Sequence, residues 1–160
     1  MVETSDKPLV VVTGITGYLG MFVCRDFLKD GSFRVRGTVR SKDPKNLKHL
    51  KEAYGKMFDE LELSVTDIEN EAQVEKAVAG ATFVVHTASP VLYKEPTDGG
   101  AACIKTAVEG ALITLRASSK AGVKRVVLTS SIAAVRDVFP KDKLPDGVPY
   151  TEENWSDVEF

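Results

Sequence analysis

Hydrophobic and polar positions along this chain fall into alternating short and long blocks. Leu9 to Thr13 is a compact apolar run rich in valine, the pattern of a strand buried on both faces. Glycines punctuate the next segment. A helix is then predicted from about Tyr18 to Lys29, with Phe22, Arg25 and Lys29 on one flank and Gly31 just past its end. Phe33 to Val39 reads as a second strand, Asn46 to Tyr54 as a short helix, and Glu60 to Ser64 as a third strand with Leu61 and Leu63 pointing one way. Thr66 or Asp67 is the expected cap of a helix carrying Val74, Ala77 and Val78 that stops at Gly80. Thr82 to His86 is the fourth strand. Asp98 to Lys120 is a long helix whose apolar face is expected to run through Ile104, Val108, Ala111, Leu112 and Leu115, with Gly122 closing it. Arg125 to Thr129 is the fifth strand, and Ser130 and Ser131 stand at its exit.

Strands alternating with helices predict a parallel sheet with crossover connections, and hence an α/β fold of the Rossmann type, a doubly wound parallel sheet. Ligands in such folds bind beyond the carboxyl ends of the strands, where every polar feature singled out below also falls.

Composition narrows the picture. The chain has 160 residues, enough for one α/β domain, and residues 1–160 are expected to form it. A net charge of -2 argues against a nucleic-acid or membrane-surface binder. Cys24 and Cys103 form no CxxC, and with no apolar signal-like or membrane-spanning stretch the expected location is cytoplasmic. His49 and His86 have no metal-ligand spacing, so no metal site is expected, and His86 reads as a buried structural histidine.

The chemistry begins at Gly14-Ile15-Thr16-Gly17-Tyr18-Leu19-Gly20, a G-x-x-G-x-x-G segment between a strand and a helix. Gly14 permits a sharp turn, Gly17 leaves room for a pyrophosphate against the backbone, and Gly20 allows close packing of helix on strand, while the helix N-terminus offers free N–H groups to an anion. A purely structural turn is the alternative for three glycines taken alone. A Walker-type phosphate loop is excluded, since no Gly-Lys-Ser/Thr follows.

Cofactor choice turns on the end of the second strand. NAD sites place a carboxylate near that point to hold the ribose hydroxyls, but here Arg40 stands 20 residues after Gly20. A guanidinium pairs with a 2′-phosphate and favours NADP (NADPH). Lys42, Lys45 and Lys51 read as a solvated helix face. Asp43 is the opposing feature, since a shifted loop would bring its carboxylate to the ribose. Thr87, Ala88 and Ser89 are small residues after the fourth strand, suited to close approach of the nicotinamide ribose, and Pro90 stiffens the exit.

The chain resembles the extended short-chain dehydrogenase/reductase family, and within it the branch of dihydroflavonol and cinnamoyl-CoA reductases. The resemblance is carried by Val12 to Gly20, Gly37-Thr38-Val39-Arg40, His86-Thr87-Ala88-Ser89-Pro90, Val126 to Ser131 and Glu153-Asn154-Trp155-Ser156-Asp157. It covers essentially the whole chain and only the N-terminal part of the family's fold, so the chain is expected to stop before the substrate domain. It implies cofactor contacts from Gly14, Thr16, Gly17, Tyr18, Leu19, Gly20, Arg40, Thr87, Ala88, Ser89 and Ser130. It also implies a basic partner for Arg40 near Lys48, and an adenine contact at Asp67. It implies, further, a catalytic serine at Ser131, with Ser130 as the neighbouring alternative.

A tyrosine and lysine in Tyr-x-x-x-Lys complete the family's chemistry, the lysine lowering the tyrosine's pKa and the tyrosine moving a proton to or from the substrate oxygen. None of Tyr18, Tyr54, Tyr93 and Tyr150 has a lysine four residues on. Nor does an Asn stand near Ile113 and Thr114, where the family often carries one. The expectation is an NADP-dependent reductase of a small carbonyl substrate, with this chain supplying the cofactor-binding part and inactive alone. Two alternatives are a non-catalytic NADP-binding half-domain or sensor, forming a homo-oligomer through an exposed sheet edge, and an NAD-dependent nucleotide-sugar epimerase or dehydratase.

Overall fold

The computed structural model describes residues 6–91, 97–135, 145 and 147–156. It contains two compact units, Met1–Leu128 and Thr129–Phe160. In the first, β1 (Leu9–Thr13), β2 (Arg34–Val39), β3 (Glu62–Val65), β4 (Phe83–His86) and β5 (Arg125–Leu128) form one sheet in the order β3-β2-β1-β4-β5. Every neighbouring pair is parallel. The connections carry α1 (Tyr18–Asp30), α2 (Pro44–Tyr54), α3 (Glu71–Val78) and α4 (Ala101–Lys120). The Rossmann-like, doubly wound sheet predicted from the alternation is thus present. Among the described residues, no helix is long and apolar enough to cross a membrane.

Side chains along β1 alternate between two cores because successive residues of a strand point to opposite faces. Val10 and Val12 pack with Ile15, Cys24 and Leu28 beside α1 and with Leu47, Leu50 and Tyr54 of α2. Leu9 and Val11 pack with Val74 and Val78 of α3 and Ala117 of α4. The sheet fills outward from β1 to β2 and β3, then returns to place β4 on the other side of β1. The carboxyl ends of β1 and β4 therefore flank the point where strand order reverses, which is where this architecture leaves a crevice.

Several boundaries differ from expectation for local reasons. The second helix begins at Pro44, with Asp43 as its cap accepting from the Lys45 N–H at 2.9 Å; proline at the first helical position loses no bond. Glu60 belongs to a 3₁₀ turn over Gly55–Glu60, so β3 starts at Glu62. The cap of α3 is Asn70, which accepts from the Gln73 N–H; Asp67 instead closes its own turn onto the Glu69 N–H. Asp98 lies ahead of α4, accepting from the N–H groups of Gly100 and Ala102. These bonds hold its carboxyl below the usual range.

The largest departure is on α4. Its buried residues are Gly110, Thr114, Ala117 and Ser118. The apolar stripe expected to face the core looks outward, from Ile104 at 64 % exposure to Leu115 at 39 %. The packing face is a stripe of small residues because α4 lies close: a Cβ on Gly110 would come within 2.7 Å of the Ile68 side chain.

Candidate functional site

The carboxyl ends of β1 and β4 are tied together by one hydroxyl. Thr13 Oγ1 accepts from the N–H groups of both Thr87 and Ala88, each at 3.1 Å. It also lies 3.0 Å from His86 Nδ1. A hydroxyl has two lone pairs and one proton. With both lone pairs engaged, the proton points at Nδ1, and His86 must carry its own proton on Nε2. His86 is buried, and burial pushes its pKa down, in keeping with a neutral ring. The Thr87 hydroxyl donates in turn to the Thr13 carbonyl. Both donors of Thr87 and the N–H of Ala88 thus serve the fold, and Ser89 stands exposed beyond them.

The glycine loop is shaped by these strand ends. Gly14 sits at φ 69° with its N–H donated to Thr38 Oγ1 at 3.0 Å, and a Cβ there would lie 2.9 Å from Ala88 Cα. The Gly17 N–H returns to the Gly14 carbonyl at 3.0 Å, which tightens the turn. Gly20 is buried: a Cβ on it would come within 2.6 Å of the Gly14 carbonyl oxygen and 2.7 Å of Thr87 Oγ1. Gly17 differs from both. Its Cβ would meet only the Gly14 oxygen, at 3.4 Å, so the fold itself leaves space at this position.

The N-terminus of α1 differs from those of the other α-helices. Asp43 caps α2, Asn70 caps α3, and Asp98 accepts from N–H groups at the start of α4. Helix α1 has Gly17 as its cap residue, no side-chain cap bond and no acidic residue in its first turn. The first intrahelical bond runs from the Met21 N–H to the Gly17 carbonyl. The N–H groups of Tyr18, Leu19 and Gly20 therefore have no helical acceptor. Tyr18 and Leu19 are exposed, with the Tyr18 ring packed against Phe22. The positive end of this helix thus has neither a side-chain cap nor an acidic residue of its own first turn to answer it.

Beside it lies an open depression of about 630 Å³ lined by Thr16, Arg40, Ser41, Lys45, Asn46 and His49. It joins the glycine loop to the end of β2 and the first turns of α2. Among the described residues, no carboxylate lines it. Asp43, which the sequence left as a possible ribose ligand, is engaged as the α2 cap. Lys45, read from the sequence as part of a solvated face, is in the lining. Lys48 is not, and its Nζ lies 3.9 Å from Glu52 Oε1. Asp67 is exposed beyond the end of β3, its carboxylate held in its turn.

In the second unit, Ser130 and Ser131 are both exposed. Ser131 is extended and caps a 3₁₀ turn over Ile132–Ala134, its Oγ accepting from the Ala133 N–H at 3.2 Å. Its hydroxyl proton is then available to another acceptor. The same turn is held by Ser156, whose hydroxyl donates to the Ala133 carbonyl at 2.6 Å. Tyr93 lies outside the described residues.

Sequence reasoning missed Thr13 and Thr38, which organise the loop through buried hydroxyls, and the exposed edge of α2 that lines the depression. The four-residue spacing of Lys45 and His49 was the available signal for the latter.

The chain is similar to several known proteins. Cinnamoyl-CoA reductase 1 of Arabidopsis thaliana is 39 % identical over 152 residues, which are 94 % of this chain and 41 % of that protein. Dihydroflavonol 4-reductase of Hordeum vulgare is 36 % identical over 159 residues, 97 % of this chain and 42 % of that protein. Vestitone reductase from alfalfa (Medicago sativa) superposes with a TM-score of 0.72 at 30 % identity, covering 96 % of this chain and 44 % of that structure. The chain thus spans less than half the length of these relatives, matching their N-terminal part. Residues 11–158 match the model of the 3-beta hydroxysteroid dehydrogenase/isomerase family, and the chain belongs to that family, within the extended short-chain dehydrogenase/reductases.

Proposed function

We propose that this chain is the NADP-binding part of an oxidoreductase that reduces a small carbonyl compound, residues 1–160 forming the N-terminal portion of a larger reductase. The observation that carries the reading is the depression joining Thr16 of the glycine loop to Arg40, lined by cationic and neutral polar groups with no carboxylate among the described residues. The uncapped start of α1 supports it: the N–H groups of Tyr18, Leu19 and Gly20 suit a pyrophosphate, and Gly17 leaves the space for one. Arg40 suits a 2′-phosphate, and Lys48 adds positive field one turn along α2. A ribose diol without that phosphate would instead need an acceptor such as a carboxylate, which speaks against the NAD-dependent epimerase reading.

Around the nicotinamide end, Thr87, Ala88 and Ser89 offer a surface of small side chains. The family resemblance assigns Asp67 to the adenine and Ser130 to the cofactor. NADPH, when bound, supplies the hydride. The chain's own contribution to the reacting carbonyl is Ser131, whose free hydroxyl proton orients the substrate oxygen. The Tyr-x-x-x-Lys pair is not in these 160 residues, so the chain alone is proposed to bind cofactor without turnover. The relatives' names point to a phenylpropanoid thioester or flavonoid carbonyl as substrate class. The compartment is proposed to be the cytoplasm.

The test is titration with NADPH and NADH by calorimetry. NADPH is expected to bind clearly more tightly, and Arg40→Ala to weaken NADPH by about tenfold or more, the worth of one charge-assisted bidentate pair, with NADH changed less than about twofold. Equal affinities for the two cofactors would refute the assignment.

A further inference from the structure

Thr13 and His86 are register partners at the carboxyl ends of β1 and β4. Alternation along both strands puts them on the face shared with Val11 and Val84, which packs against α3 and α4. His86 is 4 % exposed and stands outside the groups proposed to meet the cofactor. A buried imidazole disfavours folding unless its nitrogens find partners, so its presence in this core asks for a reason. Among the described residues, its side-chain bond is to Thr13 Oγ1, at 3.0 Å.

That bond decides how Thr13 is used. The hydroxyl has one proton and two lone pairs, and both lone pairs accept, from the N–H groups of Thr87 and Ala88 at 3.1 Å each. The proton then has Nδ1 as its acceptor. Burial alone lowers the His86 pKa, with no charged group among the causes, so the ring keeps the neutral form in which Nδ1 accepts. Without that acceptor a buried O–H is left unpaired, and the hydroxyl rotates toward another oxygen. Rotation turns a lone pair away from Thr87 or Ala88. These two residues are tightly seated: a Cβ on Gly14 would lie 2.9 Å from Ala88 Cα, and one on Gly20 would lie 2.7 Å from Thr87 Oγ1. With so little clearance, a shift of either residue passes directly to the glycine loop.

We infer that His86 is a positioning residue for the nicotinamide end of the cofactor: by accepting the Thr13 proton at Nδ1, it fixes the backbone of Thr87 and Ala88 against the glycine loop. The inference rests on the cofactor reading above and extends it to a side chain that touches no cofactor atom. Its effect is confined to one half of the ligand. By that reading the adenosine 2′-phosphate lies at the end of β2, and β1 stands between β2 and β4 in the sheet.

The experiment compares His86→Asn with His86→Leu. Both variants keep a side chain branched at Cγ. Asparagine places an oxygen where Nδ1 stands, and leucine places a methyl group there. Core packing alone ranks leucine above asparagine, because leucine buries more apolar surface and no polar group. The positioning role ranks them the other way. Kd is measured by calorimetry for NADPH and for adenosine 2′,5′-bisphosphate, which has no nicotinamide. His86→Leu is expected to weaken NADPH by about tenfold, the effect of losing one buried hydrogen bond, and to leave the bisphosphate within about twofold. His86→Asn should keep both ligands within about threefold of wild type. In a Thr13→Val background, His86→Leu should change NADPH by less than about twofold more, because the two side chains act as a unit. A leucine variant with the wild-type ratio of the two affinities, or an asparagine variant as weak as leucine, overturns the inference. If far-UV circular dichroism shows the leucine variant unfolded, NMR of the imidazole nitrogens in the wild type is the test: a neutral ring protonated at Nε2 is expected, and a proton on Nδ1 overturns the inference. A wild type that binds neither ligand overturns the cofactor reading and this inference with it.

Discussion

Replacing Gly20 by alanine sets two physical effects against each other, and the structure says which prevails. Gly20 lies in the first turn of α1 with no positive φ, so helix propensity alone favours alanine by up to about 1 kcal/mol. Against this, the new Cβ would stand 2.6 Å from the Gly14 carbonyl oxygen, 3.0 Å from its carbon and 2.7 Å from Thr87 Oγ1. Two of those are backbone atoms. The Gly14 carbonyl is held by the turn bond from Gly17, and Thr87 by its bonds to Thr13. Relief therefore needs α1 to lift from the sheet by roughly half an ångström or more, an overpacking cost of about 1–3 kcal/mol. The net expectation is a loss of about 1–2 kcal/mol, seen as a lower urea midpoint with unchanged slope in far-UV circular dichroism. NADPH affinity should fall as well, because the displaced turn carries the open N–H groups. Gly31→Ala is the control. At φ 71° with nothing within 4 Å it has conformational strain and no clash, and should lose about 1 kcal/mol with NADPH binding intact. A Gly20→Ala protein as stable as the wild type would refute the packing argument, because propensity would then have outweighed contact.

Gly17→Ala should separate binding from folding. Its Cβ meets only one atom, at 3.4 Å, so stability is expected within about 0.5 kcal/mol of wild type, while NADPH binding by calorimetry falls by tenfold or more. Glu62 tests electrostatics at the far side of the sheet. Burial raises its carboxyl pKa, but hydrogen bonds from Arg34 and Arg36 and their charges outweigh that and hold it below the ordinary carboxylate range. A depressed pKa means stability present above the unfolded-state value and lost as pH falls through the folded one. Since the pair is a third exposed, Glu62→Gln should cost only about 1 kcal/mol at pH 7. The gap to wild type should close in urea unfolding as pH drops below the ordinary carboxylate range; a gap independent of pH would contradict the ion-pair account.

The sequence by itself determined the sheet and where its candidate site would fall. The valine run before Gly14, the glycine spacing and the strand–helix alternation are local signals, each following from backbone geometry and the two-residue and 3.6-residue periods of burial. The Arg40 position is equally local, being the first exposed residue after a buried strand. What a helix faces is not local. The apolar stripe of α4 is an amphipathic pattern that looks inward by every one-dimensional rule. Yet Gly110, Thr114, Ala117 and Ser118 take the buried side, because an approach as close as that of Gly110 to Ile68 favours small side chains. In α2 the three buried residues Leu47, Leu50 and Tyr54 are visible in the sequence, but which lysine shares an edge with Arg40 depends on the rotation those contacts impose. Hydroxyl placement is the third case. Thr13 is an ordinary strand residue until β4 arrives beside it, bringing Thr87, Ala88 and His86 from 73 or more positions away to one oxygen. Periodicity records the faces a segment can bury; only the packed partners decide which face meets which, since that depends on distances between segments far apart in the chain.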